Sequence, residues 1–381
     1  MVVTFVACLL IVWCAADSSA KVTAVWVANA SDFETTQALA VSPDGKHFIF
    51  GGDSNSAVGL TATGVWLWND SYVDVQAEIE GPFVFANSDV VGALAPNSGT
   101  AQTLWGIDVT NGNITWSTFD DGSLDQTAFT GIDGAFYSGC VSATGLVRVE
   151  AATGKITWKV SYSDFVNAVE VDRRRPNVFA AIGASAASYT RQTGARIWRN
   201  QNLPIQPWSI VYDNTTDLVF YSGSNDPTGT QLEYTTVFAY HPQNGKVAWV
   251  KNITPAQNAT LLAVEGTLVF TDSSTDTPTI SAYDALTGAS LWSYQAAPVT
   301  SNSLAAVGPG PISGTVVFSE TLQELVLVNA STGKVLQNVS FPMDYGQINS
   351  QPVAVRSPSP MVLVASQSDS EHIWVTAWAG W

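Results

Sequence analysis

The sequence is poor in cysteine, histidine and basic residues. Of its 381 residues, three are Cys and three are His, and 15 Lys and Arg stand against 32 Asp and Glu, which gives a formal net charge of −17. This acidic balance argues against binding to a nucleic-acid backbone, because such binding requires clustered positive charge. No segment after residue 20 approaches the roughly 18 uninterrupted apolar residues of a membrane-spanning helix. The sequence therefore predicts no transmembrane segment once an N-terminal leader is removed.

The first twenty residues have the pattern of a signal peptide. An apolar run is followed by small residues, and Ser18 and Ala20 suit the two small positions before a cleavage site. A short N-terminal membrane anchor is the alternative, because no Lys or Arg precedes the apolar run. We predict a signal peptide at 1–20 and a mature chain at 21–381 that is secreted or lies in the secretory-pathway lumen, or in the periplasm of a bacterium. Cleavage leaves Cys140 as the single cysteine, so no intramolecular disulfide is expected.

Sequons for N-linked glycosylation are numerous. Eight positions fit the pattern Asn-x-Ser/Thr, and they are Asn29, Asn69, Asn113, Asn214, Asn252, Asn258, Asn329 and Asn338. Most of them lie close to the ends of predicted outer strands, where attached glycans would surround the perimeter of the molecule. The alternative is that none is modified, as in a bacterium.

One phrase recurs along the chain. "DVTNGNITW", "EAATGKITW", "TRQTGARIW", "HPQNGKVAW" and "DALTGASLW" each place a Trp four residues after a Gly. With Trp68 before them and Gln337 after them, the marked positions recur every 40 to 51 residues. The text between them alternates β-branched and aromatic runs with turn residues, which indicates four antiparallel strands per repeat. The Gly-Lys pairs are followed by Ile or Val and precede strands, so they do not match a phosphate-binding loop.

Repeats of four strands at this period predict an all-β fold, a single eight-bladed β-propeller of four-stranded antiparallel blades. The segment "KVTAVWV" at 21–27 has the character of a closing strand, and the C-terminal region supplies three strands and then stops. We therefore expect the N-terminal strand to complete the last blade and to close the ring.

The phrase resembles the tryptophan-docking motif of the pyrroloquinoline-quinone-type propellers. Gly106, Ser188, Ala239 and Ala282 occupy the small position that the motif has before the turn, whereas Arg148 and Leu327 are larger and Gln337 replaces the Trp. The resemblance covers nearly all of the mature chain and implies the quinoprotein alcohol dehydrogenase-like fold. In size the chain is closest to the propeller lipoprotein of outer-membrane assembly within this group.

The resemblance implies an enzyme only weakly. Quinone-dependent dehydrogenases of this fold are longer and carry adjacent cysteines beside the cofactor, and this chain has no such pair. No position matches their calcium-binding Glu and Asn or their Asp base, and no metal site is predicted. Catalytic residues are therefore predicted as none and cofactors as none, with pyrroloquinoline quinone and calcium as the alternative.

Amide residues recur at the start of the strand that lines the channel in every predicted repeat except the second, which has "EGPF" there. The seven positions are Gln37, Gln126, Asn167, Gln206, Asn258, Asn302 and Gln351. They are expected to surround one mouth of the central channel and to bind a ligand there. The alternative is that they only cap turns through local backbone bonds. Separately, Arg173, Arg174 and Arg175 form a basic turn, which is either solvated or a docking point for an anionic partner.

Two functions remain from the sequence alone. The first is a secreted, non-catalytic scaffold that binds a protein or glycan partner through the channel-mouth face. The alternative is a quinone- and calcium-dependent dehydrogenase with a divergent active site.

Overall fold

The computed structural model describes the greater part of the repeats and shows β-strands throughout. The described residues are 23–31, 36–52, 56–71, 83–96, 102–119, 124–140, 145–224, 235–253, 261–272, 279–295, 304–307, 314–321, 324–340, 347–348, 353–355, 361–369 and 372–379. The predicted signal peptide at 1–20 lies outside them.

Seven blades follow one another along the chain, each a four-stranded sheet in sequence order. Blade 1 contains β2 (Thr36–Val41), β3 (His47–Gly52), β4 (Ser56–Thr61) and β5 (Trp66–Ser71). Blade 2 contains β6 (Val84–Phe85), β7 (Val90–Pro96), β8 (Gln102–Asp108) and β9 (Ile114–Phe119). Blade 3 contains β10 (Leu124–Ile132), β11 (Ala135–Cys140), β12 (Leu146–Glu150) and β13 (Ile156–Val160).

The remaining four blades have the same order. Blade 4 contains β14 (Val166–Val171), β15 (Asn177–Ile182), β16 (Ala186–Thr190) and β17 (Arg196–Asn200). Blade 5 contains β18 (Gln206–Asp213), β19 (Leu218–Ser224), β20 (Thr235–Tyr240) and β21 (Val247–Ile253). Blade 6 contains β22 (Leu261–Val264), β23 (Thr267–Asp272), β24 (Thr279–Asp284) and β25 (Ser290–Gln295). Blade 7 contains β26 (Leu304–Val307), β27 (Thr315–Thr321), β28 (Glu324–Asn329) and β29 (Val335–Ser340).

The prediction of eight four-stranded blades is wrong, because only seven sheets in the described part of the chain have four strands. The remaining, terminal sheet has five, which are β1 (Thr23–Ser31), β30 (Gln347–Ile348), β31 (Val353–Val355), β32 (Met361–Asp369) and β33 (His372–Ala379). Its innermost position is split between β30 and β31, which both pair with β32. The sequence between these two segments contains Pro352, which has no N–H to donate to a strand ladder.

The two chain ends meet in the terminal sheet. β1 pairs antiparallel with β33 from Thr23 and Ala379 to Ser31 and His372, so the N-terminal strand is the outer strand of this sheet, as expected. The first strands of successive blades contact each other around the axis, and β31 contacts both β26 and β2. The terminal sheet thus lies between blade 7 and blade 1 and closes the ring.

The two ends of the ring carry different connections. At one end, which we name the loop face, each blade passes to the first strand of the next blade and the second strand passes to the third. At the other end, which we name the hairpin face, lie the turns between first and second strands and the hairpins between third and fourth strands.

Burial follows the position of each strand in its blade. Residues of β11, β15, β19 and β20 are all buried, whereas the outer strand β13 alternates between partly buried and exposed residues. The core lies between blades, as shown by a cluster in which Phe179 and Trp198 of blade 4 pack with Tyr221 and Tyr240 of blade 5. Since each blade buries its apolar faces only against its neighbours, the closed ring is the unit that is stable.

Candidate functional site

Tryptophans join the blades on the hairpin face. In six blades, the indole Nε1 of one outer-strand Trp donates a hydrogen bond to a backbone carbonyl in the hairpin of the next blade, at N···O distances of 2.6 to 3.0 Å. The donors and acceptors are Trp68 and Val109, Trp116 and Ala151, Trp158 and Arg191, Trp198 and Pro242, Trp249 and Ala285, and Trp292 and Ala330. The recurring phrase is therefore a structural unit that fastens neighbouring blades.

The glycine of the phrase makes room for the indole of the preceding blade. Gly245 has a φ of +67°, which is unfavourable for other residues, and a Cβ added to it would lie 2.6 Å from Cδ2 of Trp198. On its other side, Trp198 is opposite Ser188 of its own blade. The turn thus requires Gly both for its backbone conformation and for the close approach of the ring.

One arginine of the basic turn on the hairpin face, Arg175, is neutralised within the molecule. Arg175 Nη1 donates to Oδ2 of buried Asp172 at 3.0 Å and to Oδ1 of Asp217 in blade 5 at 2.7 Å. Burial acts to raise the pKa of Asp217, but hydrogen bonds from Arg175 and Tyr212 outweigh it, so that the pKa is lowered. Arg173 and Arg174 are exposed. Only part of the predicted basic cluster is therefore available to a partner.

The predicted amide positions fall at irregular points of the first strands. Gln37, Gln126 and Asn167 lie within register shifts of β2, β10 and β14, and Gln206 opens β18. Asn258, Asn302 and Gln351 lie outside the described residues. The four described positions are all near the loop-face ends of their strands.

Asn167 links two blades. Its Nδ2 donates to the carbonyl of Pro207 in blade 5 at 3.0 Å. The sequence left open whether the amides bind a ligand or cap local turns. The Asn167 bond does neither of these, because it crosses from blade 4 to blade 5.

A depression lies on the loop face between blades 4 and 5. It has a volume of about 510 Å³ and is lined by the connections 163–165 and 203–206 and by the loop 183–184. Gly183 N donates to the carbonyl of Phe165 at 2.9 Å, and Leu203 N donates to the carbonyl of Ala184 at 2.9 Å. These bonds hold the three segments together, so the depression is preorganised.

Two exposed aromatic side chains lie beside this depression. Phe165, in its wall, is 56% exposed, whereas Trp208 is 51% exposed and does not line the depression but follows the lining residue Gln206 by two positions in β18. Trp198, by contrast, is 8% exposed. Sequence reasoning missed both residues, although Trp208 could have been noticed as a Trp that lies outside the register of the repeated phrase.

A second depression opens on the hairpin face. Its volume is about 730 Å³, and it is lined by residues of the first strands and turns of blades 1 to 3 together with Arg173. Burial raises the pKa of Glu170 on β14. A hydrogen bond from the backbone N–H of Val171 and the positive charge of Arg173 partly offset this effect. Phe83, Phe85 and Phe129 in its wall are buried.

The predicted glycosylation positions differ in exposure. Asn69, Asn113, Asn214, Asn252 and Asn338 are exposed, whereas Asn329 is partly buried. Oδ1 of Asn329 accepts hydrogen bonds from Ser331 and Thr332, which hold the side chain in its hairpin. Asn29 lies in β1, and Asn258 lies outside the described residues.

A metal-binding group of the kind that the dehydrogenase alternative needs is not formed by the described residues. They contain no cluster of three or more His, Cys, Asp and Glu side chains suited to a metal ion. We derive no reaction step through calcium or quinone. Within the same residues, no helix has the length and apolarity required to cross a membrane.

Known structures share this architecture. BamB from Moraxella catarrhalis aligns with a TM-score of 0.65 and 14% identity, over 94% of this chain and 100% of that chain. A quinohemoprotein alcohol dehydrogenase from Pseudomonas putida HK5 aligns at 0.69 and 10% identity, over 94% and 76% of the two chains. The quinohemoprotein alcohol dehydrogenase from Comamonas testosteroni aligns at 0.68 and 12% identity, over 93% and 76%. At these identities the similarity shows the fold alone.

Sequence comparison identifies the family. A search of curated proteins gives no match. The family model described as outer membrane protein assembly factor BamB matches residues 183–378, just over half of the chain. This match confirms the resemblance inferred from the tryptophan-docking phrase. The chain belongs to the PQQ-type propeller-repeat family that this model describes.

Proposed function

We propose that the chain is a secreted, non-catalytic scaffold that binds a protein partner through its loop face. The observation that carries the proposal is the pair of exposed aromatic residues, Phe165 and Trp208, beside a preorganised depression. Exposed aromatic side chains next to a rigid concave surface are typical of the central contacts of protein interfaces.

The hairpin face supports this choice by contrast. Its Trp indoles, hairpin carbonyls and the guanidinium of Arg175 are already engaged within the molecule. Both faces leave some apolar side chains exposed, but the loop face does so at a depression whose segments are joined by backbone hydrogen bonds. Repeat proteins commonly use such rigid surfaces for recognition.

The family description supports a protein partner in preference to a glycan. It refers to an assembly factor for outer membrane proteins, and such a factor acts on protein chains. By analogy, this chain would hold another protein in an extracytoplasmic compartment, which agrees with the predicted signal peptide. The quinohemoprotein alcohol dehydrogenases share the fold with this chain, and we do not transfer their activity to it.

The proposal is tested by affinity purification from the secretory or envelope fraction of the source organism. The baits are the unmodified chain, a Phe165→Ala/Trp208→Ala variant and a Val247→Ala/Leu286→Ala control. Val247 and Leu286 are 53% and 60% exposed and lie away from the depression, in the outer strand of blade 5 and a hairpin of blade 6. We expect a defined partner with the unmodified chain and the control, and about tenfold lower recovery with the loop-face variant. Equal recovery with all three baits would overturn the proposal.

We further propose that the exposed sequons carry glycans if the source is eukaryotic. Asn69, Asn252 and Asn338 lie in outer strands, so glycans there would leave the loop face accessible. Glycopeptide mapping of the secreted protein should find these positions occupied and Asn329 empty. Occupancy of Asn329 with empty outer-strand positions would contradict the assignment.

A further inference from the structure

The loop-face depression contains an acidic side chain. The carboxylate of Asp164 lies over Gly183, where an added Cβ would be 3.0 Å from Asp164 Cβ and 3.3 Å from its Oδ2. Gly183 has a φ of +50° and no side chain, so the loop leaves space for the aspartate. The Asp164 side chain is nevertheless 54% exposed, so its charge is accessible from solvent.

The nearest cation compensates this charge only in part. Arg199 Nη2 is 4.0 Å from Asp164 Oδ2, at the limit of an ion pair. Arg199 is also engaged elsewhere, because Nη2 donates to Oγ of Ser185 at 3.1 Å and its guanidinium lies 4.8 Å from the ring centroid of Tyr162. No Lys or Arg is among the residues that line the depression.

Apolar and amide groups complete the lining. Phe165, Leu203 and Pro204 offer apolar surface along the side of the depression, and Gln206 adds an amide. This combination suits a long cationic side chain, whose methylene stem packs on apolar groups while its head group meets a carboxylate. The net charge of −17 would also attract a basic segment.

We propose that the depression receives a Lys or Arg side chain of the protein partner, with Asp164 as the residue that selects for positive charge. The proposal rests on the proposed function, since it names the chemistry of the segment that the loop face binds. The partner's basic residue would pair with Asp164, and its flanking apolar residues would contact Phe165.

Selection of a phage-displayed random heptapeptide library against the purified full chain tests the proposal. Parallel selections use Asp164→Asn, Phe165→Ala/Trp208→Ala and, as a matched control, Asp89→Asn. Asp89 is an exposed aspartate in a turn on the hairpin face. Circular dichroism and thermal melting establish that each variant is folded before selection.

We expect peptides enriched in Lys or Arg with the unmodified chain and with Asp89→Asn, and loss of that enrichment with Asp164→Asn. In fluorescence anisotropy, Asp164→Asn should weaken a selected peptide about tenfold, and replacing its basic residue by norleucine should weaken binding to the unmodified chain equally. Apolar peptides that depend on Phe165 and Trp208 but not on Asp164 would overturn this inference and leave the proposed function standing. Peptide binding that none of these substitutions weakens would overturn both, and the absence of any enriched peptide would overturn the inference.

Discussion

The two faces of the ring use the same residue type for opposite purposes. On the hairpin face, Trp198 is buried and its indole N–H is bonded to the next blade. Near the loop face, Trp208 is half exposed, two residues after Gln206, which lines a depression. The difference teaches that the repeated phrase holds the ring together, and that residues outside the phrase are free to serve recognition. Substitutions on the two faces should therefore separate stability from binding.

The largest effect is expected for Trp198→Ala. The substitution removes a buried ring between Phe179, Tyr221 and Tyr240 and its hydrogen bond to Pro242. The free energy of unfolding should fall by about 3–5 kcal/mol. Urea denaturation measures this loss. The matched control, Trp208→Ala, should cost less than about 1 kcal/mol, and comparable losses for the two variants would contradict the division between faces.

Gly245→Ala should follow, with a loss of about 2–4 kcal/mol. The turn would force the alanine into a positive φ, which is unfavourable for a residue with a Cβ. The added methyl group would also collide with the Trp198 ring. Gly134→Ala is the control, because Gly134 has a φ of +72° and no atom within 4 Å of an added Cβ. It should cost only about 1 kcal/mol, the strain of the backbone alone. Thermal or urea unfolding gives the loss of unfolding free energy for each variant, and the difference between the two losses is the cost of the collision with Trp198. Equal losses would contradict this packing contribution.

Arg175→Met should destabilise the chain by about 2 kcal/mol at neutral pH, because it leaves buried Asp172 without its cation. The lowered pKa of Asp217 adds a pH dependence. Its ion pair stabilises the folded state above the usual carboxyl pKa, and this contribution is lost as the pH falls through the lowered folded-state pKa. The difference between the unmodified chain and the variant should therefore shrink below about pH 4. Arg174→Met, at an exposed neighbour, should show neither effect, and a pH-independent difference for Arg175→Met would contradict the assignment.

The smallest effect is expected for Asn167→Ala. Loss of the hydrogen bond to Pro207 should cost about 1 kcal/mol in urea denaturation, which is the typical net contribution of one such bond. Gln206→Ala, at the amide that opens the first strand of the next blade, should cost less than about 0.5 kcal/mol. A larger loss of unfolding free energy for Gln206→Ala than for Asn167→Ala would contradict the stabilising role assigned to the Asn167–Pro207 hydrogen bond.

The repeat architecture could be predicted because its signal is local. A Gly turn followed four residues later by Trp specifies a hairpin, an outer strand and a contact with the next blade. Gln337 stands where the other repeats have Trp, and the arrangement of the blades in the ring explains this difference. The next sheet joins β33 to β1 from the other end of the chain, so no covalent hairpin with a glycine is present there to receive an indole. The split strand at β30 and β31, which made the blade prediction wrong, likewise depends on how the chain ends meet.

The candidate site could be predicted only in part. The amide pattern predicted that Asn167 and Gln206 lie at the starts of their first strands, and both lie at the loop-face ends of β14 and β18. The prediction was possible because both residues follow connections between blades. Phe165, Trp208 and Asp164 carry no repeat signal, and their exposure depends on how three separate connections pack. Burial of a Trp cannot be read from composition, since Trp198 and Trp208 lie only ten residues apart.

Site-specific photo-cross-linking tests the central claim most directly. A photoreactive amino acid is placed at position 208 on the loop face or at position 286 on the hairpin face, and the chain is irradiated in the fraction that contains its partner. We predict a discrete cross-linked protein from position 208, which disappears when Asp164 and Phe165 are both replaced by Ala, and none from position 286. A discrete adduct from position 286 with none from position 208 would contradict the assignment of the binding site to the loop face.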